Sequence, residues 1–195
     1  MRRHDGSAPD ASWSDERLIR ACLDGDERAW SALIDKYENL IYSIPLKFGA
    51  SRADAADMLQ AVCLELFSEL PKLRQTGALR GWLTTVTAHK ASRWKQRQQR
   101  RAEQELTDIE ENRLEAPDPI APEVIEQAQR EQMVRDAITQ LSPRCREIIR
   151  LLFYEQPPLP YKDLAHRLGL ATGSIGFIRG RCLASLQRKL EKAGF

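Results

Sequence analysis

The chain of 195 residues carries 30 Lys and Arg against 28 Asp and Glu, for a formal net charge of +2. This length accommodates one large or two small domains, and no apolar run approaches the roughly 18–20 residues of a membrane-spanning helix, so we expect no membrane insertion. Residues 1–13 hold two arginines with no apolar stretch behind them, which argues against a secretory signal and predicts a flexible tail on a cytoplasmic protein.

The four cysteines are far apart in the sequence. They form no C-x-x-C motif and have no His at ligand spacing, so we predict no zinc or other metal site. Cys63, Cys145 and Cys182 fall at apolar positions of helical patterns. This placement favours buried free thiols in a reducing cytoplasm over a redox role.

The apolar periodicity is helical almost throughout and predicts an all-α fold. Ser14 and Ser51 are the predicted N-caps of the first and third helices, and Pro71 is predicted to end the third. A fourth predicted helix covers residues 78–101, with an apolar first half and a basic second half.

The charges change sign along the middle of the chain. Residues 93–101 contain five basic residues and no acid, whereas residues 102–127 contain nine acids and one arginine. Three prolines within six residues of the acidic segment indicate an extended linker rather than a domain. We therefore predict two small helical domains, over 14–101 and 130–195, joined by an acidic linker over 102–129.

The second domain has the pattern of a helix-turn-helix. A predicted helix over 130–141 ends at Ser142-Pro143, where Ser caps the next helix and Pro takes its first position. Two further helices follow, over 161–168 and 171–190, separated by a Gly-containing turn. In such a unit the second helix enters the major groove with its N-terminal residues at the base edges.

The leading end of that second helix has little side-chain bulk, so DNA and the helix backbone could approach closely. Its free N–H groups also suit a phosphate. The candidate contacts to DNA are Thr172, Gly173, Ser174, Phe177, Arg179 and Arg181. The alternative is a plain helical hairpin with a solvated basic face.

The fourth helix mixes aromatic rings with cations, which suits melted nucleic acid because rings stack on bases and cations meet phosphates. The candidate contacts are Thr85, His89, Lys90, Arg93, Lys95 and Arg97. The alternative is that the charges only solubilise the helix and its two tryptophans belong to the core. For Trp82 we prefer the core, and for Trp94 both interpretations stay open.

The third helix places Asp57, Gln60 and Leu64 at i, i+3 and i+7, so they share one face that could bind a protein. An ordinary amphipathic helix is the alternative, and physics alone favours it. No Ser/His/Asp or paired-carboxylate spacing, phosphate-binding glycine loop or H-E-x-x-H motif stands out. We therefore predict neither catalytic residues nor a cofactor.

Four segments, in this order, resemble a bacterial RNA polymerase sigma factor of the extracytoplasmic-function type, within the sigma-70 family. The segment "DERAWSALIDKYENLIYSI" is similar to the opening helices and "ADAADMLQAVCLELFSELPKL" to the polymerase-binding helix. The segment "LRGWLTTVTAHKASRWKQRQQRR" resembles the helix that melts and reads the −10 element, and residues 141–190 resemble the domain that binds the −35 element. His89 and Arg93 stand where many members carry Asn and Asp, so a −10 sequence does not transfer from relatives.

The resemblance implies recruitment rather than catalysis. Its expected partners are core RNA polymerase, promoter DNA as duplex and as melted strand, and an anti-sigma factor as a further candidate. The Asp57 and Gln60 face would dock on polymerase, and the acidic linker would thread channels that otherwise carry nucleic acid. One alternative is a free-standing helix-turn-helix regulator that uses only the C-terminal block, and another is a structural or adaptor protein with solvated basic faces.

Overall fold

A computed structural model describes residues 8–73, 78–106 and 122–195, with the backbone alone described at 102–106. The described residues contain eight α-helices and no strand, so the predicted all-α fold is confirmed. They group into two compact units that divide between Gln132 and Met133. The helices are α1 (Asp15–Leu23), α2 (Glu27–Lys47), α3 (Arg52–Glu69), α4 (Leu79–Leu106), α5 (Pro122–Thr139), α6 (Pro143–Phe153), α7 (Tyr161–Leu168) and α8 (Ile175–Lys192).

Local chemistry determines several helix ends. The side chains of Ser14, Ser51 and Ser142 each accept a hydrogen bond from the backbone N–H three residues later, which satisfies a donor in the first turn and confirms the three predicted N-caps. Pro71 lies in a short 3₁₀ turn directly after α3. Helix α5 begins at Pro122, inside the segment that the sequence assigns to the linker.

In the N-terminal unit, α2 packs against α1, α3 and α4 and supplies the centre of the core. Asp15 of α1 holds α2 by accepting hydrogen bonds from Lys36 and from the Tyr37 hydroxyl, both at 2.7 Å. The first half of α5 joins the same unit, because Ala128 is buried in its core and Glu131 pairs with Lys47 at 2.8 Å. The large aliphatic side chains of α2 that are fully buried are Leu33, Leu40, Ile41 and Ile44.

The C-terminal unit has a small core, formed by Leu151 of α6, Leu164 and Ala165 of α7, and Ile175 of α8. Gly169 ends α7 in the left-handed conformation, with φ +63°, which glycine adopts at no steric cost. The predicted helix over 161–168 is therefore confirmed. A 3₁₀ turn over Thr172–Ser174 precedes α8, which starts later than the sequence pattern suggested.

The prediction of free thiols is wrong for Cys145 and Cys182, which form a disulfide between α6 and α8. The two cysteines are 37 positions apart, so no local pattern connects them. Cys22 and Cys63 are free, although Cys63 is only half-buried. Burial raises the pKa of both thiols, and the negative charge of Asp26 helps to bring that of Cys22 to about 11. Both free thiols are therefore protonated at neutral pH.

Candidate functional site

The three side chains predicted to bind a protein lie on the exposed face of α3. Asp57, Gln60 and Leu64 are all exposed, and their spacing aligns them along the helix. Leu64 keeps 74% of its surface in solvent. A leucine this exposed contributes nothing to the core, and it leaves apolar surface open for a partner.

Sequence reasoning missed Phe67, which extends this face by one more helical step. Phe67 is 66% exposed, and its ring centroid lies 5.2 Å from that of the half-buried Trp30 on α2. We call Leu64, Phe67 and Trp30 the α3 patch. The i+3 step from Leu64 to Phe67 was a signal in the sequence, but an apolar residue at that step is equally typical of a core face.

Four of the six nucleic-acid candidates on α4 form one exposed stripe. Thr85, His89, Arg93 and Arg97 follow each other at four-residue steps, and all are exposed. Lys95 is exposed on another side of the helix, because it is two residues from Arg93. The structure therefore brings together four of these candidates and separates Lys95 from them.

The inner side of α4 faces the core of the N-terminal unit. Trp82 and Trp94 are partly buried against that core, which favours the core interpretation for both. Thr84 and Thr87 are buried and donate their hydroxyls to the carbonyls of Arg80 and Leu83, at 2.8 and 2.6 Å. The rings are thus less available for stacking on bases than the sequence suggested.

A groove of about 490 Å³ runs between α3 and α4 and joins the two predicted sites. Asp57 lines the α3 side, together with Met58 and Ala61. Lys90 contributes to the α4 side and also pairs with Glu65 of α3 at 2.7 Å, so its charge is already partly compensated. With more basic than acidic groups, the groove favours an anion. Its remaining lining residues are Arg93, Gln96, Arg97 and Arg100.

The leading end of α8 is open on the surface of the C-terminal unit. Thr172 and Gly173 are exposed in the 3₁₀ turn, and Ser174 donates its hydroxyl to the carbonyl of Ala171 at 2.7 Å. At Gly176 and Gly180, as at Gly173, an added Cβ would meet no other atom within 4 Å. Packing within the chain therefore does not require these three glycines.

The other three candidates of this region have aromatic neighbours. Phe177 is 71% exposed, and the guanidinium of Arg181 lies 5.8 Å from its ring centroid. Arg179 Nη1 donates a hydrogen bond to the hydroxyl oxygen of Tyr161 on α7, at 2.6 Å. The sequence did not identify Tyr161 as a DNA-binding candidate, because the arginine that it contacts is 18 positions away and no local pattern connects the two residues.

Within the described residues, no cluster of three or more His, Cys, Asp or Glu side chains could hold a metal ion. The same part of the chain has no helix that is both long and apolar enough to cross a membrane.

Residues 33–101 match the family model of sigma-70 region 2. The matched segment is about a third of the chain and extends from α2 into α4, so it contains the exposed face of α3 and the stripe on α4. No curated protein matches the chain. The family match supports a sigma-70 family RNA polymerase sigma factor and implies a role in polymerase binding and promoter melting.

Proposed function

We propose that this protein is a sigma factor of the extracytoplasmic-function type, which recruits core RNA polymerase to promoters through −10 and −35 elements. One observation carries the proposal: the residues that match sigma-70 region 2 contain both an exposed apolar face on α3 and an exposed basic stripe on α4. A factor that holds polymerase and an opened DNA strand together needs two such surfaces in one unit. The proposed role is recruitment, with no catalytic step.

The α3 patch is the proposed polymerase contact. A few well-packed side chains near the centre of an interface carry most of its binding energy, and aromatic residues such as Phe67 are enriched at interfaces. Leu64 would add apolar surface that a partner buries. Asp57 and Gln60 continue the same face and would supply directional hydrogen bonds at its polar end.

The stripe on α4 and the adjoining groove are the proposed site for the melted strand. Arg93, Arg97 and Arg100 line the groove, and each could neutralise a backbone phosphate. Because Trp82 and Trp94 pack on the core, we expect charge rather than base stacking to dominate this binding. Binding should therefore weaken steeply as salt increases.

The C-terminal unit is the proposed reader of the −35 duplex, through α7, the turn and α8. Glycine in a helix interior, where Gly180 lies, costs about 1 kcal/mol relative to alanine. Packing within the chain offers no reason for Gly180, or for Gly176 in the first turn. Close approach of DNA to the backbone of α8 supplies such a reason. We further propose that the acidic linker threads polymerase channels, that an anti-sigma factor is a candidate partner, and that the protein acts in the cytoplasm.

Co-elution with core RNA polymerase, followed by run-off transcription from pooled promoter fragments, tests the proposal. We expect the chain to bind core and to direct initiation that core alone does not give. Specific duplex binding without core binding would instead support a free-standing helix-turn-helix regulator. Failure to bind either core or DNA would support a structural or adaptor protein.

A further inference from the structure

The two arginines near the start of α8 have different aromatic partners. Arg179 is hydrogen-bonded to Tyr161, the first residue of α7, whereas Arg181 lies beside Phe177 on α8 itself. Residues two positions apart on a helix point about 200° apart, so the two guanidinium groups leave α8 on different sides. Arg179 is directed to the first turn of α7, and Arg181 lies along the exposed outer face.

In a helix-turn-helix unit the first helix crosses the DNA backbone while the second enters the major groove. A side chain held at the first residue of α7 is therefore on the backbone side of the docked unit. We propose that Tyr161 and Arg179 form one clamp for a backbone phosphate, and that Arg181 with Phe177 contacts the bases. This inference rests on the proposed binding of duplex DNA by the C-terminal unit.

The chemistry of the pair suits a phosphate oxygen. A guanidinium has five N–H donors, and Arg179 uses one of them in the hydrogen bond to Tyr161. The Tyr161 oxygen accepts that bond and keeps its own proton, so it still has a donor for an anion. Since a phosphodiester offers only acceptors, the hydroxyl and the guanidinium could bind one phosphate together. The hydrogen bond between them also fixes the direction of the long arginine side chain before DNA arrives.

The pair of Arg181 and Phe177 has the opposite character. Arginine binds guanine through O6 and N7, and an exposed aromatic ring can contact a thymine methyl group. Phe177 presents most of its ring to solvent, on the side of α8 that carries Arg181. The clamp would thus set register and affinity, and the outer pair would set sequence preference.

Equilibrium binding by the full chain tests this division of labour. The two probes are a 20-base-pair duplex selected by the parent protein from a randomised library and a scrambled duplex of the same composition. Tyr161→Phe and Arg179→Ala should each weaken binding to both probes by a similar factor, roughly 3- to 10-fold, with a salt slope lower by about one for Arg179→Ala. The double variant should be no weaker than Arg179→Ala, since the two residues act as one unit. Arg181→Ala should lose affinity for the selected duplex only.

Matched controls come from the same unit. Tyr154→Phe removes the hydroxyl of another exposed tyrosine, and Arg188→Ala removes an exposed arginine later on α8. Both control variants should bind each of the two probes with an affinity close to that of the parent. A scan with single neutral methylphosphonates should find one phosphate whose replacement weakens the parent and leaves the Tyr161→Phe, Arg179→Ala double variant unchanged.

Two results would overturn the clamp while leaving DNA binding in place: full affinity in Tyr161→Phe, or an Arg179→Ala loss confined to the selected duplex. If the parent protein binds neither probe, the proposed DNA-binding role of the unit fails instead.

Discussion

The ring of Phe67 on α3 lies 5.2 Å from that of Trp30 on α2, centroid to centroid, and yet two thirds of Phe67 remains exposed. The contact orients the phenyl ring without burying it. An aromatic side chain that is held in place but solvated loses little conformational entropy when a partner covers it. This relationship makes the α3 patch the strongest candidate on the N-terminal unit for a protein contact.

Leu64→Ser and Phe67→Ser should each weaken binding to core polymerase by about 1–2 kcal/mol, roughly 5- to 30-fold, because each removes an apolar anchor from the interface. The free energy of unfolding should change by less than about 0.5 kcal/mol in Leu64→Ser, because that side chain is exposed. In Phe67→Ser it should fall by about 0.5–1.5 kcal/mol, because the ring contact with Trp30 is lost. Titration of the labelled protein with core polymerase measures the binding affinity, and urea unfolding of the same variants measures the free energy of unfolding. The matched control is Leu23→Ser, an exposed leucine on α1, and equal losses in all three variants would contradict a specific patch.

Among the described residues, Asp57 is the one acidic residue that lines the groove, and the other charged lining residues are basic. Asp57→Asn should therefore raise the affinity for a single-stranded oligonucleotide by about two- to fivefold at low salt, because it removes a repulsive charge near the phosphates. The same variant should weaken core binding. Gln60→Ala, on the same face but outside the groove lining, should weaken core binding with no change in oligonucleotide affinity. Unchanged oligonucleotide binding by Asp57→Asn would mean that the strand does not occupy the groove.

The arginines of the groove should carry most of the strand binding. Replacing Arg93 and Arg97 together by Ala should lower the salt slope for single-stranded DNA by about 1.4, since each phosphate contact contributes about 0.7. Lys90→Ala should have a smaller effect because Glu65 already pairs with Lys90. Lys95→Ala is the control, because it removes one positive charge from another side of α4, away from the groove. A slope that drops as much for Lys95 as for either arginine would indicate a diffuse attraction rather than a site.

The disulfide closes a loop that contains most of α6, all of α7 and the start of α8. A crosslink over this length restricts the unfolded chain and is worth about 3–4 kcal/mol. Reduction, or Cys145→Ser with Cys182→Ser, should therefore destabilise the C-terminal unit by about that amount and leave the N-terminal unit unaffected. Hydrogen exchange of the full chain with and without a dithiol reductant resolves the two units. Equal protection of α8 in both states would contradict this expectation.

Local features of the fold were predictable, whereas contacts between distant residues were not. The caps at Ser14, Ser51 and Ser142 depend on a backbone N–H only three residues away, so the sequence displays them directly. The Tyr161 and Arg179 pair depends on how α7 and α8 pack, which no short pattern encodes. The disulfide was missed for the same reason, and so was the pairing of Lys90 with Glu65.

At the glycines of α8, substitution by alanine should change the stability of the C-terminal unit and its affinity for DNA in opposite directions. Gly176 and Gly180 have open space where a Cβ would lie, and neither has a positive φ. Gly180→Ala should therefore stabilise the C-terminal unit by about 0.5–1 kcal/mol, because alanine loses less backbone entropy in a helix interior. Gly176→Ala should stabilise it by less, because Gly176 lies in the first turn of α8. The same changes should weaken duplex binding if DNA approaches the backbone of α8, since each Cβ would displace it. Gly81→Ala on α4, also open, is the control that should leave duplex affinity unchanged. Denaturant unfolding and duplex titration give the two readouts, and a stabilised variant with full affinity would remove close approach as the reason for these glycines.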